Sequence, residues 1–126
     1  MDRELEFAIR VRKLCKKYNV LFISDDARQG AGKTGRFLSS ERMGPEKKPD
    51  MATLGKSVSG GAYPASFVLG TEDVMSLVQP YHSASTFAMA AQANAAVLAT
   101  LRIMDEEHFV ERALNVQAKW REITSN

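Results

Sequence analysis

The sequence predicts an α/β domain with a parallel or mixed sheet, and three observations carry that expectation. Short apolar runs of strand length occur at Val20–Ile23, Met51–Leu54 and Ala65–Leu69. Apolar residues at helical spacing precede the first run, and a long alanine-rich stretch follows the last. Helix, short break, strand is half of a βαβ unit, the building block of parallel sheets.

Taken in order, the first helix is read from Phe7, Val11, Leu14, Cys15 and Tyr18, with Arg10, Lys13, Lys16 and Lys17 between them. Its terminal lysines suit the negative pole of the helix dipole. Asn19 breaks the period, and Val20–Ile23 follows as a buried strand ending at Ser24, Asp25 and Asp26. From Asp25 to Asp50 the chain is charged and punctuated by glycines and prolines, which predicts loop with at most a short helical turn. Met51–Leu54 is the second strand, Ser57–Pro64 a turn and Ala65–Leu69 the third strand. Thr71 is placed to cap a short helix that has Glu72 and Asp73 in its first turn. After a loop from Gln79 to Thr86, Phe87–Met104 reads as a helix whose small side chains admit a close neighbour. Asp105 is placed to cap a last helix bearing Phe109, Leu114, Trp120 and Ile123 as a core or interface stripe.

A length of 126 residues, 44% of them hydrophobic, bounds the chain to one domain with enough apolar content for a core. A net charge of +2 with no strongly basic stretch argues against a nucleic-acid partner. The single cysteine, Cys15, excludes an internal disulfide, fits a reducing compartment and falls on the apolar helix face as a core residue. No apolar run nears the roughly 20 residues of a membrane helix, and the opening MDRELEF is too acidic for a transit peptide. The expectation is a soluble cytoplasmic protein. His82 and His108 stand far apart with no ligand set around them, so no metal site is expected.

Two chemistries compete for the region around the first two strands. Asp25 ends the first strand, and Lys56 follows the second through Gly55. Strand ends in such a sheet converge on the ligand crevice, where an amine and a carboxylate can meet. A lysine in a confined site is a natural Schiff-base nucleophile, because desolvation favours its neutral amine. Pyridoxal phosphate needs that lysine, and a carboxylate that keeps its pyridine nitrogen protonated. The competing reading is a relaxed P-loop in ARQGAGKT, from Ala27 to Thr34, with alanine in place of the first glycine. A P-loop lysine opens a helix at once. Here Gly35 and then Gly44-Pro45 follow Thr34, and two aspartates precede the loop where a polyphosphate would be repelled.

The stretches LCKKYNVLFISDDARQGAGKTGRF, KPDMATLGKSVSGGAYPASFVLG and SASTF occur in that order. Together, from about Phe7 to the C-terminus, they resemble the central part of class III pyridoxal-phosphate aminotransferases of the ornithine aminotransferase type. The resemblance implies part of a fold-type I large domain, a mixed sheet flanked by helices. Residues 1–104 would be its central part, and residues 105–126 a helix leading toward a C-terminal domain. It also implies transfer of an amino group from an ornithine-like donor to a 2-oxo acid, through pyridoxal 5′-phosphate, in a homodimer.

By the same resemblance, Asp25 matches the aspartate that pairs with the pyridine nitrogen. Lys56 matches the catalytic lysine that bonds the cofactor and shuttles the proton. Thr86, beside Ser85, matches the threonine that reaches the cofactor phosphate from the partner subunit, and a place just before a helix suits a phosphate. Arg28 stands in place of a glutamine that contacts the phenolic oxygen of the ring. Its guanidinium still donates hydrogen bonds there, but adds a permanent charge. Ala27 replaces a branched aliphatic residue that packs on the ring. The upstream phosphate loop, the stacking aromatic and the C-terminal domain of the family have no counterpart in these residues, so the isolated chain is expected to be incomplete. The rival expectation is a non-catalytic, aminotransferase-derived interaction fragment, and the third a P-loop nucleotide binder.

Overall fold

A computed structural model describes residues 3–125, and its centre is a three-stranded sheet in the order β1-β2-β3. β1 (Ile23–Asp25) runs parallel to β2 (Met51–Leu54), with Asp25 opposite Thr53. β3 (Phe67–Gly70) returns antiparallel to β2, with Phe67 opposite Leu54. The sheet is therefore mixed. A parallel pair needs a long crossover, and residues 26–50 make it with short 3-10 turns at Ser39–Met43 and Pro45–Lys47.

The apolar run Val20–Ile23 is not the buried strand its composition suggests. Pairing begins only at Ile23, opposite Met51, and Val20, Leu21 and Ile23 are each more than half exposed. Strand limits are set by the partner's register rather than by hydrophobicity. The same rule starts β3 at Phe67 instead of Ala65, because Phe67 pairs with the last residue of β2.

α1 (Arg3–Lys17) opens with Glu4 and Glu6 and closes with Lys16 and Lys17, charges that suit both poles of its dipole. Arg12 fastens it to the sheet, donating to Asp50 Oδ2 at 2.8 Å and to Oδ1 at 3.0 Å. The Phe22 N–H donates to the same carboxylate at 2.7 Å, and the Arg12 guanidinium lies 5.9 Å from the Phe22 ring centroid. Burial pushes the Asp50 carboxyl up. The Phe22 N–H and the Arg12 guanidinium outweigh that and hold it below the usual aspartate range.

α2 (Glu72–Met75) follows Thr71, which has the extended backbone of a cap but makes no capping bond with its side chain. α3 (Ala91–Glu106) begins four residues later than the alanine-rich composition suggests. Met89 sits in the left-handed region at φ 59° and Ala90 is extended at ψ 128°, so helix does not propagate through them. Asp105 lies inside α3 rather than capping α4 (Phe109–Thr124). The chain reverses at left-handed His108, whose carbonyl accepts the first α4 bond from the Arg112 N–H at 3.0 Å.

Met43, Ala52, Leu54, Val58, Val97 and Met104 form the core, centred on β2, the turn that follows it and α3. Loop 30–37 is seated against α4: Gly35 has φ 75°, and a Cβ there would lie 2.2 Å from Leu114 Cδ2. Beyond that contact α4 is open, with Trp120 67% and Ile123 72% exposed, so neither is a core residue. Cys15 is half-buried on an α1 that buries no residue fully. The chain exposes 9794 Å², against about 6,700 Å² for a compact monomer of its size. Exposed apolar side chains contribute to that excess on α1, the sheet, α4 and the loop before α3, among them Phe7, Val68, Tyr81, Phe87 and Trp120. No helix among the described residues is long and apolar enough to cross a membrane.

Candidate functional site

Because β1 and β2 are parallel, they end at the same edge of the sheet, and this edge collects the polar groups. Asp25 is the last residue of β1. Side chains alternate across a strand, so its neighbour Asp26 turns the other way and is 1% exposed. Asp26 accepts hydrogen bonds from the Ser39 N–H at 2.7 Å, the Ser39 hydroxyl, and the Ser24 hydroxyl at 3.3 Å. The two aspartates thus divide their work. Asp26 anchors the crossover loop, and Asp25 remains exposed at the crevice.

Asp25 Oδ1 accepts from the Thr53 hydroxyl at 2.7 Å and from the Ala27 N–H at 3.1 Å. Its Oδ2 accepts no hydrogen bond among the described residues. The Thr53 hydroxyl first, then the Ala27 N–H, hold the carboxyl below the usual aspartate range against a small desolvation, and the Lys56 charge acts in the same direction. Asp25 and Lys56 thus stand at the adjacent ends of β1 and β2, with no hydrogen bond or ion pair between them.

Lys56 opens the 3-10 turn Lys56–Ser59 with φ 51°, a left-handed conformation that costs a residue with a Cβ about 1–2 kcal/mol. The turn beneath is built to hold it. Val58 is 1% and Ser59 2% exposed, and the Ser59 hydroxyl donates to the Tyr63 carbonyl at 2.5 Å. Gly60, left-handed at φ 62°, approaches α3 so closely that a Cβ would lie 2.9 Å from Thr100 Oγ1. The Lys56 side chain itself is exposed and makes no hydrogen bond or ion pair among the described residues.

The remaining expected residues are not gathered at this edge by any bond. Arg28 is exposed in the turn after β1, with no hydrogen bond or ion pair among the described residues. Ser85 and Thr86 are exposed in the loop between α2 and α3, where the Ala88 N–H donates to the Ser85 carbonyl at 3.1 Å. Thr86 does not directly precede a helix: residues 87–90 intervene before α3, which removes the helix-terminus argument for a phosphate contact there. The Ala27–Thr34 stretch is a series of turns with no α-helix directly after it, so the anion site of a P-loop is not formed. A cleft of about 500 Å³, lined by Leu38, Pro45, Pro49, Met51 and Leu69 among others, opens at the opposite end of β2 and touches neither Asp25 nor Lys56.

Sequence reading missed Thr53 and the separate role of Asp26. Strand alternation across the Asp25-Asp26 pair was available as a signal for Asp26. The pairing of Asp25 with Thr53 depends on register, which the sequence does not show.

The chain is similar to known proteins both in sequence and in structure. The family model for class III aminotransferases matches residues 2–123. Ornithine aminotransferase 1 of Staphylococcus saprophyticus is 44% identical over 110 residues, covering 87% of this chain and 27% of that protein. Ornithine aminotransferase of Emericella nidulans is 45% identical over 102 residues, covering 81% of this chain and 22% of that one. Among solved structures, ornithine aminotransferase from Toxoplasma gondii superposes with a TM-score of 0.83 at 35% identity, over 90% of this chain and 26% of its own. An S-selective transaminase from Arthrobacter sp. superposes at 0.87 and 34% identity, over 94% and 26%. The chain spans about a quarter of the length of these relatives.

Proposed function

The chain belongs to the class III aminotransferase family, and from that premise we propose that it supplies the central part of a pyridoxal 5′-phosphate site. The reaction is transfer of an amino group from an ornithine-like amino acid to a 2-oxo acid, in a homodimeric cytoplasmic enzyme. One observation carries the reading: an ionised aspartate and an unpaired lysine stand at the adjacent ends of two parallel strands. Residues 1–104 are assigned to the cofactor-binding domain, and residues 105–126 to a helix leading out of it.

The donor set fits the cofactor. Asp25 offers a free carboxylate oxygen to a protonated ring nitrogen, and Lys56 offers an amine that no other group occupies. When bound, pyridoxal phosphate supplies an aldehyde for amino groups and a ring that accepts electrons from the substrate α-carbon. Asp25 would keep the proton on the ring nitrogen, because Thr53 and then Ala27 hold its carboxyl below the usual aspartate range. Lys56 Nζ would hold the cofactor and would accept and return the proton of the substrate α-carbon. Arg28 is assigned to the phenolic oxygen, and Ser85 and Thr86 to the cofactor phosphate of a partner subunit. Their exposure on a loop free of hydrogen bonds to the sheet edge is compatible with that delivery.

A second reading, a non-catalytic interaction fragment, draws on the exposed apolar surface of the sheet, α1 and α4. Absorbance separates the two. Titration with pyridoxal phosphate is expected to produce the band of a lysine-bound cofactor in this chain and none in Lys56→Ala. A band of equal size in both proteins overturns the assignment, and no band in either favours the interaction fragment.

A further inference from the structure

We infer that Thr53 is the positioning residue of the Asp25 carboxylate, fixing which of its two oxygens faces the crevice. The inference rests on the role proposed above for Asp25. An ionised carboxylate only accepts hydrogen bonds, and a threonine hydroxyl has a single proton to give. Thr53 gives that proton to Oδ1 at 2.7 Å, the oxygen that also takes the Ala27 N–H at 3.1 Å. Both bonds fall on one oxygen, so the carboxylate is clamped in one orientation with Oδ2 left for a ligand.

The clamp comes from the sheet itself. Thr53 is the register partner of Asp25 on the central strand β2, and the Asp26 N–H donates to the Thr53 carbonyl at 2.9 Å just beyond it. As a β-branched residue in a strand, Thr53 has few χ1 choices, so its hydroxyl is delivered by the backbone. A protonated nitrogen heterocycle approaching this edge would meet one oxygen already fixed in place. Without the hydroxyl, only the Ala27 N–H would resist rotation of the carboxylate.

The charges around Asp25 do not blur the test. From the turn after β2, Lys56 acts on it by charge. Asp26, on its own strand, is turned away to Ser24 and Ser39, and Arg28 in the following turn makes no ion pair. β2 brings only the neutral hydroxyl.

The experiment compares the chain with Thr53→Val, which removes the donor, and Thr53→Ser, which keeps it. Carboxyl-carbon NMR follows the Asp25 titration without cofactor, and absorbance follows uptake of pyridoxal phosphate. Thr53→Val is expected to shift the Asp25 titration upward toward the ordinary aspartate range and to weaken cofactor uptake several-fold, while Thr53→Ser restores both. A general loss of fold would not be rescued by serine. An Asp25 titration unchanged by valine, or moved equally by valine and serine, overturns the inference. If the titration moves as expected while the unsubstituted chain takes up no cofactor, the hold of Thr53 on Asp25 stands and the functional reading fails.

Discussion

Alanine at Gly35 and at Gly61 separates a backbone cost from a packing cost. The two glycines have nearly the same φ, 75° and 78°. Each substitution therefore incurs about 1–2 kcal/mol for a left-handed Cβ residue, offset by about 0.4–1 kcal/mol from a less flexible unfolded chain. Only Gly35 has a neighbour in the way. An added Cβ would lie 2.2 Å from Leu114 Cδ2 and 2.6 Å from its Cγ, whereas nothing lies within 4 Å at Gly61. Because Cγ is too close as well as the methyl, Leu114 must leave its seat or α4 must shift, an overpacking cost of about 1–3 kcal/mol. Gly35→Ala is thus expected to lose about 3 kcal/mol and Gly61→Ala about 1 kcal/mol. Urea unfolding followed by circular dichroism reads both, with equal slopes required for the comparison. Leu114→Ala in the same background should abolish the difference. Equal losses at the two glycines, or a difference that survives Leu114→Ala, would refute the packing of this loop under α4.

Val58→Ala removes two methyl groups from the most buried side chain in the turn that carries Lys56. A loss of about 2–3 kcal/mol in urea unfolding is expected, from about 0.8 kcal/mol per group plus the cavity left behind. Asp50→Ala leaves Arg12 and the Phe22 N–H without their acceptor and is expected to cost about 2 kcal/mol at neutral pH. The folded carboxyl of Asp50 is held below its ordinary range, so its contribution is complete above that range and lost as pH falls through the folded value. Urea midpoints of the unsubstituted chain should therefore fall below about pH 4. Asp50→Asn should flatten that part of the profile, and an unchanged acid limb would contradict the ion pair.

The parts of the fold legible in the sequence are those encoded locally. Met51–Leu54 is bounded by Asp50 and Gly55 and forms a strand over the expected residues. The charged residues at the two strand ends could be picked out for the same reason. Pairing was not legible, because the start of β1 at Ile23 is decided by Met51 across the sheet and not by the apolar run itself. The start of α3 was hidden for a different reason. Ala88-Met89-Ala90 has good helix formers, but Met89 takes a left-handed backbone that propensity does not report. At the far end of α3, Asp105 had the chemistry of a cap, yet the reversal falls at His108. Thr53 escaped notice because a threonine inside a strand reads as β-propensity until the register sets it against Asp25.

The central claim is that Lys56, at the strand end beside that of Asp25, is the amine that takes the cofactor. The most direct measurement reduces the pyridoxal-phosphate-treated chain with borohydride, digests it and locates the pyridoxyl group by mass spectrometry. The account expects the label on the peptide carrying Lys56, with Lys33, Lys47 and the α1 lysines unlabelled at the same cofactor concentration. Label on Lys33, or spread over the exposed lysines without preference for Lys56, would contradict it.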